Sequence, residues 1–126
     1  MPNYNYPSNI NWGNWWSWNQ AASFAIDRGY DYIHVAAAYW AMYRVARNYP
    51  SLVRVHDWQW YINQAVITIQ VLTGGRVGFV NDGLMGETVL TFLLEDLTRE
   101  GLTSNASFVE GKMRNRASVW ARQRYP

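Results

Sequence analysis

The sequence predicts an all-α fold built from antiparallel helical hairpins. Two long stretches, about 31–48 and 57–73, are rich in apolar residues and contain neither glycine nor proline. About eight residues join them, which suits an αα-hairpin. A third stretch, about 84–100, carries Val89, Leu90, Phe92, Leu93, Leu94 and Leu97 at helical spacing, with Glu95, Asp96, Arg99 and Glu100 facing water. No long stretch alternates polar and apolar residues as a half-buried strand would, and only Val77, Phe79 and Val80 suggest a short one. The length suits a single domain, 1–126.

Taken in order, Pro2 to Pro7 reads as an extended segment, with Tyr4 and Tyr6 among asparagines. Asn11 to Gln20, N-W-G-N-W-W-S-W-N-Q, holds four of the eight tryptophans. A helix would scatter these rings over several faces and a strand would split them, so the segment reads as an ordered loop. A short helix, Gln20 to Arg28, follows and ends at Gly29 as a C′ glycine. The next helix opens at Asp31 as N-cap and stops before Pro50. Its apolar residues cover nearly every face, so it is expected to be buried all round, with Ala36–Ala38 allowing close approach. His34, on that face, reads as a core residue. Helix 57–73 has no charge from Trp58 to Gly75, but Gln59, Asn63, Gln64 and Gln70 argue against a membrane span. Gly74 to Gly83 is a glycine-rich break with Asn81-Asp82-Gly83 as a turn. Gly101 ends the third helix. The last helix is expected from Ser104 or Ser107, with Ser107 and Glu110 as a capping box. Val109, Met113, Ala117 and Trp120 form its inner stripe, and Lys112, Arg114, Arg116, Arg122 and Arg124 its wet side.

Composition narrows the function classes. Charged residues make up 16% of the chain against an average of about 25%. So little charge points to assembly with more protein, either the rest of a larger fold or a second copy. A net charge of +2 gives no electrostatic case for nucleic acid. There is no cysteine, which removes disulfides, thiolate metal sites and cysteine nucleophiles. Two distant histidines give no metal-ligand spacing, and no phosphate-binding loop occurs, so neither metal nor cofactor is expected. No signal peptide is legible in the first residues, which leaves localisation open, including secretion of a parent protein.

The candidate chemistry rests on aromatics and carboxylates. Indoles beside amides, here Trp12, Trp15, Trp16 and Trp18 with Asn14, form a flat surface that stacks on sugar rings and hydrogen-bonds their hydroxyls. Trp58 and Trp60 flank a helix start in the same way. Asp57 opens helix 57–73 beside His56, Asp82 lies in the glycine-rich turn, and Glu87 lies in the first turn of the third helix. Carboxylates at helix starts are stabilised by free N–H groups, so Asp57 and Glu87 also read as caps. The functional reading pairs two carboxylates as acid and base or nucleophile for glycoside hydrolysis, with aromatic neighbours raising the acid's pKa.

The segments N-W-G-N-W-W-S-W, Y-D-Y-I-H-V-A-A-A-Y-W, H-D-W-Q-W-Y and N-D-G-L-M-G-E together resemble the α/α-toroid, or six-hairpin, glycosidase-like proteins. The resemblance implies helical hairpins arranged in a ring, with a tryptophan-rich cleft at the inner helix ends. It implies subsites at Trp12, Trp15, Trp16 and Trp18, catalysis by Asp57, Asp82 and Glu87 with His56 in support, and a poly- or oligosaccharide substrate. A ring of about twelve helices needs more than roughly 200 residues. The chain is therefore expected to be a portion of a toroid, not active by itself. Two alternatives stand beside the hydrolase: a polysaccharide lyase using His56, Tyr61 and Arg76, and a non-catalytic helical module that binds glycan or protein.

Overall fold

A computed structural model describes residues 8–9 and 26–123. The tryptophan-loop residues Trp12, Asn14, Trp15, Trp16 and Trp18 lie outside these, as do residues 20–25 of the expected short helix. The fold is all-helical, as the sequence predicts. Among the described residues there are four helices: α1 (Gly29–Asn48), α2 (Trp58–Leu72), α3 (Thr88–Arg99) and α4 (Thr103–Arg122). They form two hairpins, α1 with α2 and α3 with α4. No described helix is long and apolar enough to cross a membrane.

The first hairpin holds most of the core. Ile33, Ala36, Tyr43 and Ala46 of α1 recur at steps of three and four or multiples of them, and meet Ile62, Ala65, Val66, Ile69 and Leu72 of α2. Ala36 and Ala65 are both buried in this core. The expectation that α1 is buried all round fails. Val35, Ala38, Ala41 and Met42 are exposed, because α2 and α3 cover only one side of the helix. His34 is on this open side and is exposed, not a core residue.

Two starts also differ from expectation. Ile26 and Asp27 are irregular, so no helix runs to Arg28, and Gly29 begins α1 where the sequence suggested it ends one. Packing favours glycine at 29: a Cβ there would sit 3.0 Å from the Gly78 carbonyl and 3.1 Å from Leu84. Asp31 is in the first turn, paired with Arg28 at 3.1 Å, and is not the N-cap. The Val77–Val80 strand is reduced to one parallel bridge between Arg28 and Gly78, which pins the 74–83 loop to the start of α1.

The second hairpin turns at Gly101. Its φ is +73°, Leu102 N–H donates to the Leu97 carbonyl at 2.9 Å and Gly101 N–H to Thr98 at 3.1 Å. This is a Schellman closure, and glycine takes the left-handed position without strain. Gly101→Ala should lower stability by about 1 kcal/mol, read as a lower denaturation midpoint at unchanged slope. The capping box at Ser107 and Glu110 does not form. α4 starts earlier, at Thr103, which places Ser107 inside the helix and leaves Glu110 paired with Arg114 at 2.6 Å.

A polar clamp ties α1 to α3. Trp40 Nε1–H donates to Asp96 Oδ2 at 2.8 Å, and the Trp40 ring stacks on Phe92. Arg99 also pairs with Asp96. One turn along, Tyr43 O–H and Arg47 Nε–H both donate to Glu100 Oε1 at 2.9 Å. Burial raises the Tyr43 hydroxyl's pKa; its bond with Arg99 opposes this, while Glu100 and Asp96 add to it. Asp96, which the sequence suggested faces water, is buried in this clamp.

Candidate functional site

The loop before α3 and one stripe of α4 build the most organised polar site. The sequence suggested that α3 starts at Leu84, but residues 84–87 fold back instead. Leu84 is fully buried, Met85 has a φ of +57°, and the Glu87 side chain closes the turn. Glu87 Oε1 accepts the Leu84 N–H at 2.6 Å and Oε2 the Gly86 N–H at 3.2 Å. Arg116 arrives from α4. Its Nη2 donates to Glu87 Oε1 and to the Asp82 carbonyl, both at 3.0 Å. Its guanidinium lies over the Trp120 ring, 4.8 Å from the centroid. Trp120 Nε1–H in turn donates to the Asn81 carbonyl at 2.7 Å. Loop and helix are thus locked together by one charge pair and one indole.

The Arg116 side chain is only 9% exposed and that of Glu87 27%. Burial pushes the Glu87 carboxyl up, but the N–H groups of Leu84, Glu87 and Gly86 and the Arg116 charge outweigh it and hold the carboxyl below its usual range. Glu87 is therefore ionised at neutral pH. The expected raised pKa of a general acid does not hold at this residue.

Arg116 stands in the wall between two cavities. One, of about 300 Å³, lies between α3 and α4 and is lined by Glu87, Thr88, Thr91, Met113, Arg116 and Trp120. The other, of about 280 Å³, lies at the end of α2 against Thr73, Asn81, Lys112, Asn115 and Arg116. Asp82, on the exposed turn, has its carboxylate uncommitted among the described residues.

The remaining predicted residues lie elsewhere. Asp57 caps α2, its Oδ1 accepting the Trp60 N–H at 2.8 Å. Residues 84–86 pack against Leu72, Gly29 and Ile33, at the opposite end of that helix. The 15 residues of α2 span about 22 Å. Paired glycosidase carboxylates stand roughly 5 to 10 Å apart, so Asp57 and Glu87 do not form such a pair. Asp57 is a cap, as the plainer reading held. His56 is at the Asp57 end, stacked on Trp60 with centroids 3.9 Å apart, and supports neither Asp82 nor Glu87. Trp60 meets Tyr39 and Tyr61 edge-on, and Trp58 lies beneath Arg47 and against Tyr43. Both indoles are half-buried at the core margin. The lyase set divides in the same way, with Tyr61 and His56 at one end of α2 and Arg76 beyond the other.

A family profile matches residues 1–126, the full length given. The chain belongs to DUF5695, a family of unknown function. No curated protein and no solved structure matches it.

Sequence reasoning missed Arg116, Trp120 and Asn81 as partners. The signal was present in the spacing. Ala106, Val109, Met113, Arg116 and Trp120 recur at three and four residues, which is one helix face. Ala117, placed on that stripe by the sequence reading, is exposed, and Arg116, placed in solvent, is buried. Its charge is accommodated because Glu87 is there to pair with it.

Proposed function

We propose that this domain recognises and processes carbohydrate within a glycosidase-like protein of the α/α-toroid kind. The observation that carries the reading is the cleft between α3 and α4. Trp120 is held at its rim by the Asn81 carbonyl and the Arg116 guanidinium, and Thr88, Thr91 and Glu87 face the same space. An indole fixed beside hydroxyls and an ionised carboxylate suits a sugar ring, whose C–H face stacks while its hydroxyls hydrogen-bond. The volume fits about one or two sugar units, at the low end for ligand sites. Glu87 serves here as a fixed acceptor; Asp82, on the adjoining turn and alone of the three predicted carboxylates uncommitted among the described residues, is the catalytic candidate, with its partner carboxylate supplied by another part of the toroid. The open apolar face of α1 suits a neighbouring hairpin, as a ring of hairpins requires.

A second reading, glycan binding without turnover, is favoured by the engagement of Asp57 and Glu87 in structural bonds. One experiment separates the two. An oligosaccharide panel is screened for binding and hydrolysis against the protein carrying this domain, its Trp120→Ala variant and its Asp82→Asn variant. Trp120→Ala should weaken binding about tenfold, and Asp82→Asn should lower kcat at least about a hundredfold with little change in binding. Binding lost with Trp120→Ala but no turnover in any form selects the binding module. Affinity unchanged by Trp120→Ala rejects the cleft.

A further inference from the structure

We infer that the cleft between α3 and α4 takes uncharged sugars and rejects anionic ones, with the Glu87 carboxylate as the rejecting group. The inference rests on the carbohydrate reading above and adds the substrate class. Among the described residues two charged side chains line the cleft, Glu87 and Arg116, and they are bonded to each other at 3.0 Å. They are unequally placed. The Arg116 side chain is 9% exposed, and its Nη2 is spent on Glu87 and the Asp82 carbonyl. The Glu87 side chain is 27% exposed. The negative member of the pair is thus the one that a molecule in the cleft meets.

That asymmetry sorts sugars by charge. A sugar hydroxyl can donate its proton to the exposed part of an ionised carboxylate, in a charge-assisted bond. A uronate or sulfate group has no proton to give at neutral pH. It would lose hydration beside a second negative charge, with the neighbouring guanidinium already paired. The rest of the lining offers it no cation: Thr88 and Thr91 are hydroxyls, and Leu90, Met113, Ala117 and Trp120 are apolar or aromatic. Asp82, whose carbonyl Arg116 holds, adds another negative charge on the adjoining turn. The sequence outside the described residues carries one charged side chain, Arg124. An unpaired charge built against the wrong ligand is a common source of selectivity. The lyase alternative requires a sugar carboxylate in its substrate, so the same feature weighs against it.

The test is an NMR titration of the protein carrying this domain, read at the Trp120 indole N–H. The ligands are oligomers of glucose, galactose and mannose, each beside oligomers of the corresponding uronate. At least one neutral series should shift this signal, and its uronate counterpart should bind at least about tenfold more weakly. Glu87→Gln removes the charge and keeps the shape, so the ratio of uronate to neutral affinity should rise at least about threefold. Loss of stability alone would lower both affinities together and leave the ratio where it was. Arg124→Gln should also leave it unchanged. A uronate that shifts the Trp120 signal as tightly as its neutral counterpart overturns the inference but not the carbohydrate reading. So does a ratio that stays the same in Glu87→Gln or moves only in Arg124→Gln. No shift with any sugar overturns the carbohydrate reading and the inference with it.

Discussion

Glu87→Ala should cost about 3 to 5 kcal/mol of folding stability, the range for breaking a buried ion pair by removing one partner. The substitution strands the Arg116 guanidinium in an enclosed site and deprives the Leu84 and Gly86 N–H groups of their acceptor. For a domain of this size that is on the order of 10 °C in Tm. Because the folded-state pKa of Glu87 is lowered, its contribution is fully present above the ordinary carboxylate value of about 4.3 and is lost as pH falls through the lowered value. Denaturant midpoints of the parent and of Glu87→Gln should therefore converge as the pH is taken from 7 to 3. Parallel curves over that range would show that the carboxylate charge contributes nothing to the fold, and with it the locked loop would fail as a description.

A second large loss is expected at the clamp between α1 and α3. Asp96→Ala should cost about 3 kcal/mol, because the Trp40 Nε1–H then lies half-buried without an acceptor and the space left by the carboxylate is not refilled. Asp96→Asn keeps an acceptor of the same shape and should cost only about 1 kcal/mol. Trp40→Phe removes the donor, so a double-mutant cycle of Trp40→Phe with Asp96→Ala isolates the bond itself. A coupling near zero would show that Asp96 is held by Arg99 alone. Arg99 is largely exposed, which is why its pairing is screened and the indole bond is expected to dominate.

The helices were legible because their signals are local. The apolar spacing of α2 and α3 set their existence, and Pro50 and Gly101 marked ends that the structure keeps. Starts were less legible. Residues 84–87 have an apolar, helix-compatible sequence, yet the Glu87 side chain closes a turn there because Arg116, 29 residues later, stabilises its charge. Asp31 has the composition of an N-cap, but the bridge between Arg28 and Gly78 sets the backbone first. In both cases a distant partner outweighed a local preference.

The candidate site was legible only as a set of residue types. The sequence nominates Asp57, Asp82 and Glu87 equally, since each stands at a helix start. Spacing along a chain does not say which ends of two hairpins face each other, so it cannot show that α2 separates Asp57 from Glu87. It also ranks arginine with solvent, and so hides Arg116.

By itself the sequence determined the all-helical class and the pairing of α1 with α2, because helix periodicity and breakers act over a few residues. The tertiary structure decided which charges are buried and which carboxylate is left uncommitted. Those outcomes depend on desolvation and on partners far away in the chain, and Glu87 with Arg116 is stable only when both are brought to the same place.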